Sequence, residues 1–402
     1  MKNYFSVSFI LLLAIFVESL SFIGVFWTLI CFGESKLSIG LCIGISSIIP
    51  YILQFIIKEV RDYFANNIKT IMLLLSCFGA VFSFALFFDY ISNNTVYIYV
   101  LICLYSLLFY LTNQVVEMLI SFKVIDKEIT EINASRILQV SLTVGSCLGG
   151  FCAGVIIDYY KLKGVSVVAL LGYFVLFILC LKYLENIKYQ KNESEKNYCL
   201  DYNKENLNNN NKKLWFSYID ISILAFATTS FNFLLPILVQ SEKNWSATVF
   251  GIADSAAAIG AFLAILLTGF ILVKNNSQYF FTMLFTVCGL AICYLSNVFV
   301  LILISLLWGL SMNLLRIQKR SIFFELNQNS QEVTIWTSRL VVGRMMIEAI
   351  SPILIGIFCF YLLPSQIFLV FSMFITLSLI ITMFIKDNII KKAKNIPKFK
   401  EI

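Results

Sequence analysis

The sequence predicts an all-α integral membrane fold of twelve transmembrane helices in two pseudo-symmetric six-helix bundles. Three observations predict it. First, 59% of the 402 residues are hydrophobic and only 13% are charged, whereas soluble globular chains run at about 45–50% apolar and about 25% charged. Second, the apolar residues fall in long runs, and a hydrocarbon core of about 30 Å takes about 20 residues of helix to cross. Third, the second half of the chain repeats landmarks of the first at a nearly constant offset.

The runs cover residues 6–30, 37–57, 70–88, 96–121, 137–157, 165–184, 216–239, 247–273, 279–296, 298–315, 337–361 and 366–385. Hydrocarbon offers no water to backbone polar groups, so each run must be helical. None shows the alternation that a barrel strand needs. The finest cut lies between spans nine and ten, where Ser296 and Asn297 alone interrupt the run. Span one exceeds the apolar core of a signal peptide, contains Glu18 and precedes no small-x-small cleavage site, so it is expected to stay as a membrane helix.

The loops set the orientation. With the N-terminus inside, 26 of the 30 Lys and Arg residues fall on the inner side, and only Lys36, Lys161, Lys163 and Lys243 fall outside. The positive-inside rule then predicts both termini in the cytoplasm, and the net charge of +7 reads as topology and attraction to anionic lipid rather than nucleic-acid binding. The Asn- and Lys-rich stretch 185–213 has little to bury and is expected to be a flexible cytoplasmic linker. It separates an N-terminal bundle (1–184) from a C-terminal bundle with a short basic tail (214–402).

The repeat rests on paired positions. Ser135 and Arg136 open span five as Ser338 and Arg339 open span eleven; Glu34, Lys36 and Ser38 precede span two as Glu242, Lys243 and Ser246 precede span eight; Asn113 pairs with Asn313. Spans three, nine and twelve carry no charge and span six only Lys182 near its cytoplasmic end, which predicts that these four face lipid, although spans two and five are uncharged as well. Polar groups gather on the first helix of each triplet: Glu18 on span one, Asn113 and Glu117 on span four, Asp220 and Asn232 on span seven, Asn313 and Arg316 on span ten. Four such helices around a shared cavity would line it with polar groups.

An ionised group at mid-membrane costs at least about 2.5–3.5 kcal/mol. Glu18, halfway along span one, therefore reads as a protonatable coupling site or a contact for a cationic substrate, against the alternative of interhelical glue. Arg344 and Glu348, four residues apart, read equally as an ion pair or a substrate contact. Asp254 reads as a gate or a proton-access group, and Glu117, Asp220 and Arg316 as interfacial groups. Gly145, Gly149, Gly150 and Gly154 form a small-residue stripe that lets helices approach closely. Pro50, Pro236 and Pro352 sit within spans two, seven and eleven, where proline kinks a helix. The eleven cysteines form no CxxC pair and histidine is absent. The cysteines read as buried small hydrophobes, and neither a metal nor a cofactor is expected.

Leu235 and Pro236, the run GIADSAAAIGAFLAILLTG at 251–269, and Ser338–Arg339 opening span eleven resemble bacterial members of the major facilitator superfamily, and the likeness runs over nearly the whole chain. The resemblance implies alternating access about a midplane site between the halves. It makes Arg61, Asp62 and Lys69 of KEVRDYFANNIK a cytoplasmic gating loop, although the glycines usual there are missing. Span four lacks the Arg of many proton-coupled members, and span five has the glycines of the antiporter motif without its proline. The expected function is proton-coupled export of a small amphipathic or cationic molecule (a drug, toxin or secondary metabolite), with import of a nutrient or metabolite as the alternative. Without His or a large polar loop, an enzyme is not expected. The expected partners are a small-molecule substrate, protons and the lipid bilayer, with the protein monomeric. The Ile-, Asn-, Lys- and Phe-rich composition points to a low-GC bacterium, and the expected location is the bacterial cell (inner) membrane.

Overall fold

A computed structural model describes residues 2–56, 67–88, 94–125, 131–184, 204–268, 275–294, 297–326, 343 and 346–394. The helices among them are α1 (Lys2–Cys31), α2 (Lys36–Ile56), α3 (Ile68–Leu86), α4 (Thr95–Ile125), α5 (Glu131–Tyr183), α6 (Lys204–Ile237), α7 (Ala247–Thr268), α8 (Asn275–Cys293), α9 (Val298–Leu326), α10 (Met346–Phe358) and α11 (Pro364–Lys394). Eight of these contain stretches long and apolar enough to cross a membrane, and shorter apolar stretches lie in α2, α8 and α10.

At 53 residues, α5 would be about 80 Å long if straight, far more than a bilayer takes. It breaks at Lys161, whose backbone turns to φ 57° and ψ −161°. The first arm of α5 covers predicted span five and the second arm span six. The turns before α2 and α7 hold the other left-handed residues, Gly33 (φ 72°) and Asn244 (φ 54°), at matching places in the two halves. Asn94 and Asn297 also match: each accepts a backbone N–H two residues on, from Val96 at 3.0 Å and Phe299 at 2.9 Å, and so caps the fourth helix of its half. The predicted linker shrinks at its far end, because α6 already begins at Lys204. Once α6 is nucleated, each residue added to its start gains a backbone bond, and the Lys, Glu and Leu there are good helix formers. Past Pro236 the helix widens into a π turn at Leu238–Glu242.

The first helix of each half is the more deeply buried, and the apolar faces lie outside. Phe78 and Phe84 on α3, Leu171 and Phe174 on the second arm of α5, Phe280 and Met283 on α8, and Phe374 and Leu377 on α11 are all exposed. Apolar area on this scale needs a nonaqueous neighbour. It includes the four helices expected to face lipid, and further exposed apolar side chains lie on α2, α4 and α9, among them Ile45, Val96 and Phe299. Two cysteines depart from the expected burial: Cys31 and Cys77 are exposed, since a thiol at a lipid-facing or cleft position costs little.

Candidate functional site

The first helix of each half buries one acid within its own bundle. Glu18 lies midway along α1 and is 1% exposed. Thr112 on α4 donates its hydroxyl to Oε1 at 3.1 Å. Tyr173, from the second arm of α5, and Tyr105 on α4 adjoin the same carboxyl. Oε2 has no hydrogen-bond partner, and among the described residues no cation lies against the group. Glu18 thus points neither to acyl chains nor across to the other half, but into the interior formed by α1, α3, α4 and α5.

Asp220, nearer the linker end of α6, has a cation. Lys319 on α9 reaches Oδ2 at 2.7 Å, with side-chain exposures of 1% for the lysine and 3% for the aspartate, and Thr382 on α11 donates to Oδ1. Both residues are buried against each other rather than exposed. Either charge alone would be costly in lipid. Paired, with a hydroxyl on the second oxygen, they neutralise each other and satisfy the carboxylate.

The glycine stripe divides its contacts between the two halves. A Cβ at Gly145 would lie 2.9 Å from Ile15 Cβ, and one at Gly149 would lie 2.7 Å from the Phe16 carbonyl, so these two admit α1. Gly150 and Gly154 face α7: a Cβ there would lie 2.5 Å from Asp254 Oδ2 or from the Ala247 carbonyl. Asp254 therefore sits on the seam between the halves, beside Ile23 of α1. Alongside it, Ser255 Oγ donates to the Cys147 carbonyl at 3.0 Å and Cys147 Sγ to the Ser255 carbonyl at 3.7 Å.

The seam tightens toward the end of the bundle opposite the linker, the distal end. There Asp158, at the end of the first arm of α5, accepts the backbone N–H of Ala247 at 3.0 Å and of Thr248 at 2.8 Å. A carboxylate from one half thus caps a helix of the other, satisfying orphan amides and opposing the helix dipole. A second seam joins α2 to α10, where Gly40 meets the Pro352 carbonyl and a Cβ at Gly356 would lie 2.7 Å from Leu37 Cα. Phe26 stacks on Phe233 at 5.5 Å and Trp27 on Phe250 at 5.6 Å. A cleft of about 640 Å³ remains between the halves at this end, lined by Trp27, Cys31, Asp158, Lys161, Gln240 and Trp245.

The remaining predicted residues are spread more widely. Asn113 and Asn313 each donate to the carbonyl four residues back, Phe109 at 2.8 Å and Gly309 at 3.0 Å, so the paired amides share one geometry. Asn232 is exposed on α6, and Glu348 is half-buried on α10. Lys69 donates to the Leu181 carbonyl at 3.1 Å, closing the end of α5. Arg61, Asp62, Arg344 and the Glu117 side chain lie outside the described residues. Sequence reasoning missed Asp158 and the Asp220–Lys319 pair. The one available signal for the pair was an acid on span seven and a lysine just after span ten near the same end of the bundle.

The arrangement has clear structural relatives. The chain superposes on a nucleoside transporter, NupG, at 15% identity and a TM-score of 0.67, covering 97% of this chain and 100% of that one. It superposes on a bacterial homologue of the iron transporter ferroportin in its inward-facing state at 12% identity and a TM-score of 0.68, covering 96% and 98%. A bacterial homologue of the lysosomal transporter Spinster, inward-facing and unoccupied, gives 12% and 0.59, covering 88% and 82%. No family model matches the sequence, and no curated protein matches it. At these identities the likeness is one of fold. The chain is a multi-pass membrane protein that shares the fold of these solved transporters.

Proposed function

We propose that this chain is a secondary transporter working by alternating access, exporting a small amphipathic or cationic molecule in exchange for protons. Counting the two arms of α5 as separate spans gives twelve, six to each half, with both termini on the cytoplasmic side of a bacterial inner membrane. The observation that carries the reading is the contrast between the two buried acids. Asp220 is held by a lysine, while Glu18 faces only hydroxyls and retains an unpartnered oxygen. A carboxyl set among hydroxyls, which can donate or accept, can be held in either protonation state, and gaining and losing a proton is what coupling requires.

The described contacts between the halves gather at the distal end, which supports a state closed to the outside. One proton crossing about 100 mV supplies about 2.3 kcal/mol, enough to hold a gradient of roughly fifty-fold. The test is dye or antibiotic efflux from energised inside-out and right-side-out vesicles. Glu18→Gln should abolish efflux driven by a proton gradient. A Glu18→Gln protein that exports as well as its parent would sink the coupling role, and accumulation of labelled nutrient in right-side-out vesicles would reverse the direction.

A further inference from the structure

We infer that Glu18 exchanges its proton through the interior of the N-terminal bundle, along a chain of buried hydroxyls leading to the distal end, and not through the space between the halves. This rests on the proposed coupling role of Glu18 and specifies its route.

The chain starts at Glu18 Oε2, which has no partner, with the equally unpartnered Tyr173 hydroxyl beside it. Ser21, one turn further along α1, adjoins both Tyr173 and Tyr105. Its hydroxyl hydrogen goes to the Val17 carbonyl at 2.8 Å, which leaves its oxygen free to accept from either tyrosine. Tyr105 Oη and Ser83 Oγ on α3 are then 3.0 Å apart. Ser166 fixes the far end by donating to the Ser83 carbonyl at 2.7 Å.

Every hydroxyl in the series is sealed from solvent: Tyr105, Tyr173 and Ser83 are 0% exposed and Ser21 likewise. The series also climbs. At 1.5 Å per helical residue, Glu18 lies about 20 Å below the distal end of α1 and Ser83 about 5 Å below that of α3. Among the described residues, the titratable groups facing Glu18 are Tyr105 from α4 and Tyr173 from α5. The first arm of α5 meets α1 on another face, through Gly145 and Gly149 at Ile15 and Phe16.

The transfer balances. As Glu18 gives its proton to Tyr173 Oη, that hydroxyl passes its own hydrogen to Ser21, Ser21 to Tyr105 and Tyr105 to Ser83. Ser83 in turn releases its own hydrogen to water admitted at the distal end, so that one proton is displaced outward and every hydroxyl ends neutral. The reverse sequence reloads the acid from the distal side. Proton and substrate would then use separate paths, and neither need wait for the other to clear the cavity.

Infrared difference spectroscopy of the purified full chain in lipid tests this. The carbonyl stretch of the protonated carboxyl is assigned as the band that Glu18→Gln removes, and the hydrogen-to-deuterium shift of that band is timed. Tyr105→Phe and Ser21→Ala should slow the shift about a hundredfold, the low end of what a positioned proton-transfer group contributes, while Tyr110→Phe leaves it unchanged. Ser83→Ala repeats the test with a smaller packing change. If all these variants exchange at the parent rate, the interior route is wrong. Glu18→Gln with undiminished efflux would remove the coupling role instead, and leave the exchange kinetics standing.

Discussion

The two halves place an acid on the same helix and treat it in opposite ways. In the C-terminal bundle, Asp220 meets Lys319 and Thr382, so its charge is fixed and its oxygens are satisfied. In the N-terminal bundle, Glu18 meets Thr112 and two tyrosines and keeps one oxygen unpartnered. The two halves offer similar interiors, and on the proposed reading the side chain opposite the acid decides whether that interior braces the fold or can exchange a proton. A lysine commits the site to one protonation state, whereas hydroxyls donate or accept and so tolerate both.

The largest expected effect breaks the paired site. Lys319→Met leaves Asp220 as an uncompensated buried charge and should cost about 3–5 kcal/mol, read as a fall in thermal unfolding temperature in detergent. Adding Asp220→Asn should recover most of that loss. Glu18→Gln should shift the same unfolding by less than about 1 kcal/mol, because the amide keeps the size of the side chain and an acceptor for Thr112 and strands no buried cation. Equal losses from Lys319→Met and Glu18→Gln would erase the contrast.

Two smaller effects sharpen it at the seams. Gly154→Val puts side-chain atoms where the Ala247 carbonyl sits. It should cost about 1–3 kcal/mol by overpacking and hold the distal end ajar, seen as faster labelling of Cys31 in the cleft by an impermeant maleimide. Asp158→Ala removes the cap on α7 at a cost of about 0.5–2 kcal/mol, with a weaker rise in the same labelling. Unchanged Cys31 reactivity in both would mean that the seam does not gate the cleft.

Much of the fold was legible because membrane helices advertise themselves. Hydrocarbon forces every crossing to be apolar and helical, and spans three, six, nine and twelve, with no charge but Lys182, became exposed apolar faces of α3, the second arm of α5, α8 and α11. The site was legible only in part. Glu18 could be singled out, since an acid at mid-span is expensive wherever it points, but its surroundings could not. Tyr105 and Tyr173 look like ordinary apolar-run residues until α4 and α5 bring them to α1. Lys319 reads as a loop cation because its partner lies 99 residues earlier, and the stripe of glycines gives no hint that Gly145 and Gly149 serve one half while Gly150 and Gly154 serve the contact with the other. Asp158 escaped notice because a cap donated from a distant helix has no local pattern.

That borrowed cap also sets an order of events. The α5–α7 seam is pinned by a carboxylate on two amides, while the described contacts of the α2–α10 seam are close backbone approaches at glycines. Contacts of the second kind yield gradually as helices slide, whereas a charge seated on a helix end lets go abruptly, once water can replace it. The distal mouth should therefore begin to part along α2 and α10 and finish with the release of Asp158, swinging like a door whose catch is on one side.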